Sequence, residues 1–297
     1  SYLDYLDWKQ LNNVFSALDI YNGTGYLLRT PAGTEPVPGI RVSDGFFHTL
    51  GITPALGRDF YTGEDLPAAP RTVILSYSAW QKRFGGSKDV VGETVNLSGI
   101  PHTIVGVLPQ AFQFAARANT EFWTTLHPTD FCSLRRSCHD LYGIGRLKDG
   151  VSVEMALANM KAIARQLELQ YPNDNRGQGA IVQPLAEVMV ADIRPILLML
   201  LAGAGLLLVI ACVNVSSLLL VRSESRKREI AVRGALGASR VRLIRQFMTE
   251  GVVLIAAGCL FGVATAHEAM QLLAGLISED MKAGMPYISG LGLNFHV

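Results

Sequence analysis

The longest uninterrupted apolar stretch of the chain covers residues 196–220, which contain no charged side chain. Its clearly polar members are Asn214, Ser216 and Ser217. Because an α-helix rises about 1.5 Å per residue, about 20 such residues cross a hydrocarbon layer of about 30 Å. A buried helix of a large soluble protein is the alternative, but such helices seldom continue for this length without a charge. The pattern therefore predicts a membrane span at about residues 196–221.

A second apolar stretch, at about residues 247–276, is less pure because it contains Glu250, His267 and Glu268. The residues between these side chains carry no charge. A charge at the centre of a bilayer is costly, whereas one near the interface is tolerated. We therefore predict a second membrane span in which these three side chains lie close to the two membrane surfaces.

Two glycines of the second stretch, Gly258 and Gly262, form a G-x-x-x-G spacing. This spacing lets the backbone of another membrane helix approach closely. The same spacing also arises by coincidence, so the sequence leaves two interpretations open. One is a helix-packing site at these glycines, and the other is a span whose glycines have no packing role.

The two stretches are separated by a basic segment, residues 222–246, with eight Lys or Arg residues and two acidic residues. Positive charge beside a membrane span stays on the cytoplasmic side. Residues 1–192 are therefore predicted to lie outside the cytoplasm, residues 193–277 to form a membrane hairpin, and residues 278–297 to begin another extracytoplasmic segment. Residues 1–192 hold 16 basic and 19 acidic residues, so the basic excess lies beside the membrane stretches. A nucleic-acid partner would need a basic face on a folded domain, and topology explains this basic cluster better.

Residues 1–192 show short strand and helix patterns separated by turn residues, as is typical of an α+β domain. The predicted strands are residues 14–18, 25–29, 39–42, 72–75, 94–97, 102–107, 122–125 and 141–147. The predicted helices are residues 3–12, 78–84 and 153–170. Another short helix is expected to begin at Ser43 or Asp44 as its N-cap.

The last third of this domain has the clearest pattern. Ser152 is expected to cap the helix at residues 153–170, and residues 180–185 are predicted as the return strand of a split β-α-β unit. The apolar positions of the helix keep helical spacing, and they are Met155, Leu157, Met160, Ile163, Ala164 and Leu167.

No motif of a familiar catalytic or nucleotide-binding site is present. The sequence lacks the phosphate-binding pattern G-x-x-x-x-G-K-[ST], the nucleophile pattern G-x-S-x-G and the zinc motif H-E-x-x-H. We therefore expect no catalytic residue, no metal site and no cofactor in this chain. The aromatic residues of the domain are expected to be core, with an apolar substrate groove as the alternative, and these are Trp80, Phe84, Phe112, Phe114 and Trp123.

One cluster of potential metal ligands contains His127, Cys132, Cys138 and His139. The two cysteines are separated by five residues, which fits no common zinc site. In an oxidising compartment, Cys132 and Cys138 could instead close a small disulfide loop. Free or singly paired thiols are the alternative.

Several separate phrases carry a resemblance to a known family. The phrases LGRDF, LSYSAWQKRFGG, VGETVNL and IVGVLP occur in this order between residues 42 and 112, and the region resembles the periplasmic core domain of MacB-type permeases. REIAVRGALGASRVRLIRQFMTEG, residues 228–251, is similar to the cytoplasmic loop and following span of FtsX-like permeases. Together these similarities cover nearly the whole chain.

The resemblance implies a domain plan and a set of partners. Residues 52–127 would be an inserted subdomain, and residues 1–51 and 138–192 a porter-like part. The permease would be a homodimer or pseudo-dimer in the bacterial inner membrane, in contact with lipid and with a cytoplasmic ABC ATPase that binds ATP. A periplasmic adaptor or outer-membrane channel is a further expected partner. Because the chain starts without Met or a signal peptide, nothing in it would carry residues 1–192 across the membrane, and we expect a preceding span. A permease with two spans would also be unusually small, so we expect further spans after residue 297.

The basic segment is the expected contact with the ATPase. An amphipathic helix there could dock into a groove on the ATPase, although the charges could also only fix topology and bind anionic lipid. The candidate coupling residues are Arg226, Lys227, Arg228, Glu229, Ile230, Arg233 and Leu236. The implied function is an exporter of the mechanotransmission type that moves an amphiphile, antibiotic, peptide or lipoprotein. An FtsX-like scaffold that drives cell-wall hydrolases is the alternative.

Overall fold

The computed structural model describes residues 1–31, 33–112, 114, 120–129, 132–190, 194–225, 232 and 240–276. The described residues form two compact units. Ser1–Met189 belong to the first unit, and the described residues from Val190 onward belong to the second. The predicted α+β domain followed by two long apolar helices is confirmed.

Among the described residues, the part of the chain up to Val190 contains eight strands and five α-helices. The helices are α1 (Tyr2–Leu11), α2 (Phe46–Leu50), α3 (Tyr77–Phe84), α4 (Val153–Gln170) and α5 (Leu185–Val190), and a 3₁₀ turn covers Lys88–Val90. The strands are β1 (Phe15–Thr30), β2 (Gly33–Val42), β3 (Leu56–Gly57), β4 (Thr72–Leu75), β5 (Thr94–Leu97), β6 (Ile100–Val107), β7 (Phe122–Thr125) and β8 (Tyr142–Leu147). The second unit contains α6 (Arg194–Ser225) and α7 (Arg240–Leu276).

The strands form one sheet whose pairings return on themselves. The order is β2-β7-β4-β6-β5-β1-β8, and β1 also pairs with β2, while β3 pairs with β6. β1 makes this closure because its second half pairs with β2 on one side and with β5, at Leu28, on the other. Its first half pairs with β8, and Tyr21 is at the crossover. β2 with β7 and β4 with β6 are parallel, and the other pairs are antiparallel.

Alternate residues of the central strands face two different apolar clusters. Ile74 and Trp123 belong to an aromatic-rich cluster, whereas Val73, Leu75 and Phe122 belong to a second cluster. Successive side chains of a strand point to opposite faces of a sheet, so a strand covered on both faces is apolar throughout. This explains why β4 and β7 are buried at every position. Of the aromatic residues expected in the core, Phe114 and Trp123 are buried.

Side-chain caps begin three of the described α-helices, and at the start of α1 the Ser1 hydroxyl accepts a hydrogen bond from the Asp4 amide. The Ser76 hydroxyl accepts a hydrogen bond from the Ala79 amide at the start of α3, and the Ser152 hydroxyl accepts one from the Met155 amide at the start of α4. The expected N-cap of α2 is wrong, because Gly45 is its N-cap and makes no side-chain cap bond.

Ser43 has a different partner. Its hydroxyl donates to the buried Asp19 carboxylate at 2.7 Å and accepts from the Ile20 amide at 3.0 Å. Asp19 also accepts from the hydroxyl of Thr49 in α2. The side chain expected to cap α2 therefore joins the helix to β1 through a buried carboxylate.

Two strand predictions are wrong. The stretches at residues 14–18 and 25–29 belong to the single strand β1, which continues through Asn22-Gly23 because it is hydrogen-bonded on both halves. Residues 180–184 form no strand. Ala180 and Val182 instead pack on the face of α4 that contains Met160, Ile163 and Leu167, and among the described strands β8 pairs with β1 alone.

The burial of α4 follows the predicted spacing with one shift. Met160, Ile163 and Leu167 are buried together with Ala156, whereas Met155 is 55% exposed. Met155 is outside the covered face because the buried residues, from Ala156 onward, are spaced by three or four positions, and Met155 is one position out of that register.

The boundaries of the inserted subdomain stay a prediction. Strands from residues 52–127 pair with the flanking strands, since β7 pairs with β2 and Leu97 of β5 is opposite Leu28 of β1. The proposed insertion and the flanking segments therefore share one hydrogen-bonded sheet within the first unit.

Candidate functional sites

All seven candidate coupling residues of the basic segment lie outside the described residues. They are Arg226, Lys227, Arg228, Glu229, Ile230, Arg233 and Leu236. Val232 is the one described residue between Ser225 and Arg240, and it is helical and 59% exposed. The role of the segment in ATPase binding stays a prediction.

The two long helices of the second unit have the length and composition of membrane spans. Arg194–Arg222 has 29 residues with a mean hydropathy of 2.9, and Met248–Leu272 has 25 residues with a mean hydropathy of 1.7. None of the residues in their most apolar windows is buried in the protein. A helix in the core of a soluble protein would be covered by its neighbours, so these exposed apolar surfaces fit contact with lipid instead.

The G-x-x-x-G glycines lie on an open part of α7. A Cβ added to Gly258 or Gly262 would meet nothing within 4 Å among the described residues. The surface is thus sterically free for the close approach of another helix. Packing at these glycines stays a prediction.

A buried carboxylate, Asp4, joins three segments of the extracytoplasmic unit. Its Oδ1 accepts from Nη1 of Arg136 at 2.8 Å and from Nδ2 of Asn175 at 3.0 Å, and its Oδ2 accepts from Oγ of Ser1 at 2.8 Å. Burial opposes ionisation of Asp4, but the hydrogen bonds from Asn175, Ser1 and Arg136 outweigh it, so the pKa of Asp4 lies below its usual value. Sequence reasoning missed this group because its members are far apart along the chain.

The two cysteines outside the membrane helices lie next to this group. The sulfur atoms of Cys132 and Cys138 are bonded to each other, and their Cα atoms are 5.3 Å apart, within the usual range for a disulfide. With Asp140 they form the one group of three or more potential metal ligands in the described part of the chain. A sulfur held in a disulfide is not a thiolate ligand, so this arrangement fits a cross-link and not a metal site.

His127, another of the potential ligands, has a different environment. Its Nε2 is 2.7 Å from Oγ1 of Thr125 and its Nδ1 is 2.9 Å from the carbonyl oxygen of Leu66. Burial, with a smaller contribution from the positive charge of Arg71, lowers the pKa of His127 to about 4. The imidazole is therefore neutral and holds β7 against the segment at Leu66.

The loop of the LGRDF phrase is held by an ion pair. Arg58 donates to both carboxylate oxygens of Glu64, at 2.9 and 2.6 Å, and its guanidinium lies 3.8 Å from the ring centre of Tyr61. Burial raises the pKa of the neighbouring Asp59 to about 6. These charged groups order the loop between β3 and β4.

An apolar cavity of about 310 Å³ opens beside the aromatic cluster. Its lining residues are Leu50, Ile52, Pro109, Ala111, Phe112, Phe114 and Leu185. Such a lining suits an apolar group and supplies no nucleophile or acid–base pair.

Two family matches cover most of the sequence. Residues 2–163 match the family described as MacB-like periplasmic core domain. Residues 201–297 match the family described as FtsX-like permease C-terminal.

Individual relatives agree with these matches. The macrolide export ATP-binding/permease protein MacB of Chromobacterium violaceum is 26% identical over 254 residues, which cover 84% of this chain and 38% of the relative. The pyoverdine export ATP-binding/permease protein PvdT of Pseudomonas syringae is 25% identical over 234 residues, covering 75% of this chain and 34% of the relative. The ABC transporter permease YknZ of Bacillus subtilis is 26% identical, covering 79% and 57%. The chain thus spans little more than a third of the length of the first two relatives.

Among solved structures, the periplasmic region of MacB from Actinobacillus actinomycetemcomitans matches with a TM-score of 0.44 and 13% identity, covering 58% of this chain and 75% of that one. The family matches place the first unit outside the cytoplasm and the two apolar helices in the inner membrane. The chain belongs to the family with a MacB-like periplasmic core domain and is an ABC transporter permease component with an FtsX-like C-terminal segment.

Proposed function

We propose that this chain is the permease subunit of an ATP-driven ABC exporter of the mechanotransmission type. In this mechanism, movement produced by a cytoplasmic ATPase is passed through the membrane helices to the extracytoplasmic unit. The observation that supports the proposal most is the order of parts. An α+β unit with a MacB-like core domain precedes two long apolar helices, and a basic segment lies between those helices in the sequence.

The proposed energy source lies outside this sequence. ATP binds to a partner ATPase subunit or domain, since residues 1–297 contain no phosphate-binding G-x-x-x-x-G-K-[ST] pattern. Two permease copies, or two related halves, form the working unit. A periplasmic adaptor or outer-membrane channel receives the substrate.

The coupling contact is proposed to lie in the basic segment. Glu229 and Arg233 are spaced four residues apart, so on a helix they would lie on one face. A helix on the inner membrane surface that presents both signs of charge can be recognised by a partner with complementary charges. Ile230 and Leu236 supply apolar positions for a groove.

The proposed substrate is amphiphilic and is taken from the outer face of the inner membrane. The names of the relatives mention export of macrolides and of pyoverdine, both of which are outward movements. The extracytoplasmic unit has an apolar cavity and a mixed-charge surface, which suits a substrate with apolar and polar parts.

The test begins with the tagged, full-length permease in its native membrane. We expect an ABC ATPase to co-purify, and the combined substitution Glu229→Arg and Arg233→Glu to remove it. The matched control is Arg29→Glu, which reverses one exposed charge on β1 and is expected to leave the ATPase bound. Correct membrane insertion without any ATPase would contradict the proposed coupling.

Export itself is tested by the growth of cells that lack the permease, challenged with a panel of amphiphilic antibiotics. Restoration of resistance by the unmodified permease, but not by the Glu229 and Arg233 variant, is expected. A co-purified cell-wall hydrolase with no change in resistance to any compound would overturn export in favour of an FtsX-like scaffold.

A further inference from the structure

The described part of the segment between β7 and β8 has no regular secondary structure, yet it holds the side chain of Arg136 in a defined position. Residues 126–129 and 132–141 contain no helix or strand. Within them, the amide of Arg135 donates to the carbonyl oxygen of Cys132, and the amide of Cys138 donates to that of Arg135. The disulfide closes this turn, and a short closed loop has far fewer conformations than an open one.

The closed turn presents Arg136 to two acidic side chains of α1. Nη1 of Arg136 lies 2.8 Å from Oδ1 of Asp4 and 2.6 Å from Oδ2 of Asp7. On the other side, the guanidinium lies 3.8 Å from the ring centre of Tyr171, the residue that caps the end of α4. The side chain of Arg136 is 14% exposed. It therefore fills the space between α1 and the end of α4.

Asp4 has a strong requirement for this cation. Its side chain is 3% exposed, and a buried carboxylate that loses its positive partner is much less stable. Asn175, in the turn after α4, donates to the same oxygen as Arg136. Arg136 and Asn175 together thus tie α1 to the segment that leads along the chain toward α6.

We infer that the Cys132–Cys138 loop is a redox-dependent clamp, in which the disulfide holds Arg136 between α1 and the end of α4, and reduction releases α1. The clamp is a property of the extracytoplasmic unit, whatever the permease transports. In this proposal the disulfide does more than stabilise the unit as a whole, because α1 depends on it more than the other segments do.

The chemical step is a thiol–disulfide exchange with a dithiol such as dithiothreitol. Two electrons from the dithiol break the Sγ–Sγ bond, the two cysteines become thiols, and the dithiol becomes a cyclic disulfide. The turn then opens, and Arg136 loses the closed-loop constraint that positions it beside Asp4.

Hydrogen–deuterium exchange of the purified full-length chain tests the clamp. The background carries Cys212→Ser and Cys259→Ser, so that Cys132 and Cys138 are the remaining cysteines. Reduction is expected to raise the exchange rate of amides in Tyr2–Leu11 by about tenfold, while amides of β4 and β6 stay protected. Arg136→Gln is expected to raise exchange in α1 to a similar extent without any reductant.

The decisive comparison is reduction of the Arg136→Gln protein. If the disulfide acts through Arg136, reduction adds little further exchange in α1, because the two changes remove one interaction. Arg29→Gln, which removes an exposed charge from β1, is the control and is expected to respond to reduction like the parent. Unchanged protection of α1 on reduction, or an equal response with and without Arg136, would overturn the clamp. If Arg136→Gln does not fold, the exchange of the parent protein in dithiothreitol tests the clamp instead. Faster exchange in α1 alone would support the clamp, whereas faster exchange in β4 and β6 as well would show a general loosening and overturn it.

Discussion

Buried polar side chains in the extracytoplasmic unit join segments that the sequence separates widely. Asp19 accepts hydrogen bonds from Ser43 and Thr49, and Asp4 accepts them from Arg136 and Asn175. A buried polar group left without a partner is costly, so each carboxylate fixes its neighbours in one arrangement. These residues therefore specify which helices pack on the sheet.

The buried imidazole of His127 leads to a prediction about pH. Its pKa falls from the ordinary value of 6.5 to about 4 in the folded state. Between these values the unfolded chain binds a proton that the folded chain does not, so folding is progressively weakened as pH falls from 6.5 to 4. We expect the unfolding temperature of the parent to fall by about 4 °C or more relative to His127→Asn across this window.

Tryptophan fluorescence of the full-length chain provides the measurement, since all three tryptophans, Trp8, Trp80 and Trp123, lie in the extracytoplasmic unit. Asn is chosen because residue 127 has a φ of 44°, which Asn tolerates better than most residues. Asp59, whose pKa burial raises to about 6, contributes the opposite slope and is present in both proteins. Parallel pH curves for the parent and the variant would contradict the prediction.

At the level of elements, strand boundaries could be predicted where local apolar runs coincide with pairing. β4, β5 and β7 have the predicted bounds, residues 72–75, 94–97 and 122–125. Residues 180–184 show where a local pattern does not identify a strand. Their alternation is real, because Ile181 is 84% exposed while Ala180 and Val182 are partly buried. Alternation of apolar and polar residues shows only that one side of a segment is covered. A helix such as α4 can cover that side without any strand pairing.

The candidate sites could be predicted to different degrees for a similar reason. The membrane helices and the cysteine pair are local in sequence, so composition and spacing point to them. Asp4 and Asn175 are 171 positions apart, and no local pattern connects them. Tertiary packing alone brings such residues together.

The short pairing of β3 with β6 gives a prediction about the glycine of β3. Gly57 has a φ of 75°, and a Cβ at this position would lie 2.2 Å from the carbonyl oxygen of Val105. Backbone cannot move aside as a flexible side chain can, so Gly57→Ala combines conformational strain with a clash. We expect it to destabilise the unit by about 3 kcal/mol or more.

Gly99→Ala is the matched control for that substitution. Gly99 has a φ of 84° with nothing within 4 Å of an added Cβ, so it carries the strain without the clash. Its expected cost is about 1 kcal/mol. Thermal unfolding followed by tryptophan fluorescence compares the two variants. An equal loss of stability for both would show that β3 and β6 leave room for a Cβ at residue 57.

For the whole molecule, the distribution of charge and apolar surface sets the orientation. The extracytoplasmic unit is slightly acidic, whereas the segment between the two apolar helices is strongly basic. Membrane insertion retains positive segments near a span in the cytoplasm. The apolar helices and the basic segment between them therefore predict both the spans and the side of the membrane on which each flanking segment lies.

This orientation can be measured with single cysteines in a background in which all four native cysteines are replaced by serine. Arg29→Cys lies on exposed β1, and Val232→Cys lies at an exposed position between the two apolar helices. A membrane-impermeant maleimide added to intact spheroplasts is expected to label position 29 and to label position 232 only after the membrane is permeabilised. Labelling of both positions from outside would mean that the basic segment is not cytoplasmic, and it could then not reach an ATPase. The clamp at Arg136 belongs to the extracytoplasmic unit and contributes no residue to the membrane helices, so the labelling tests the orientation separately from the clamp.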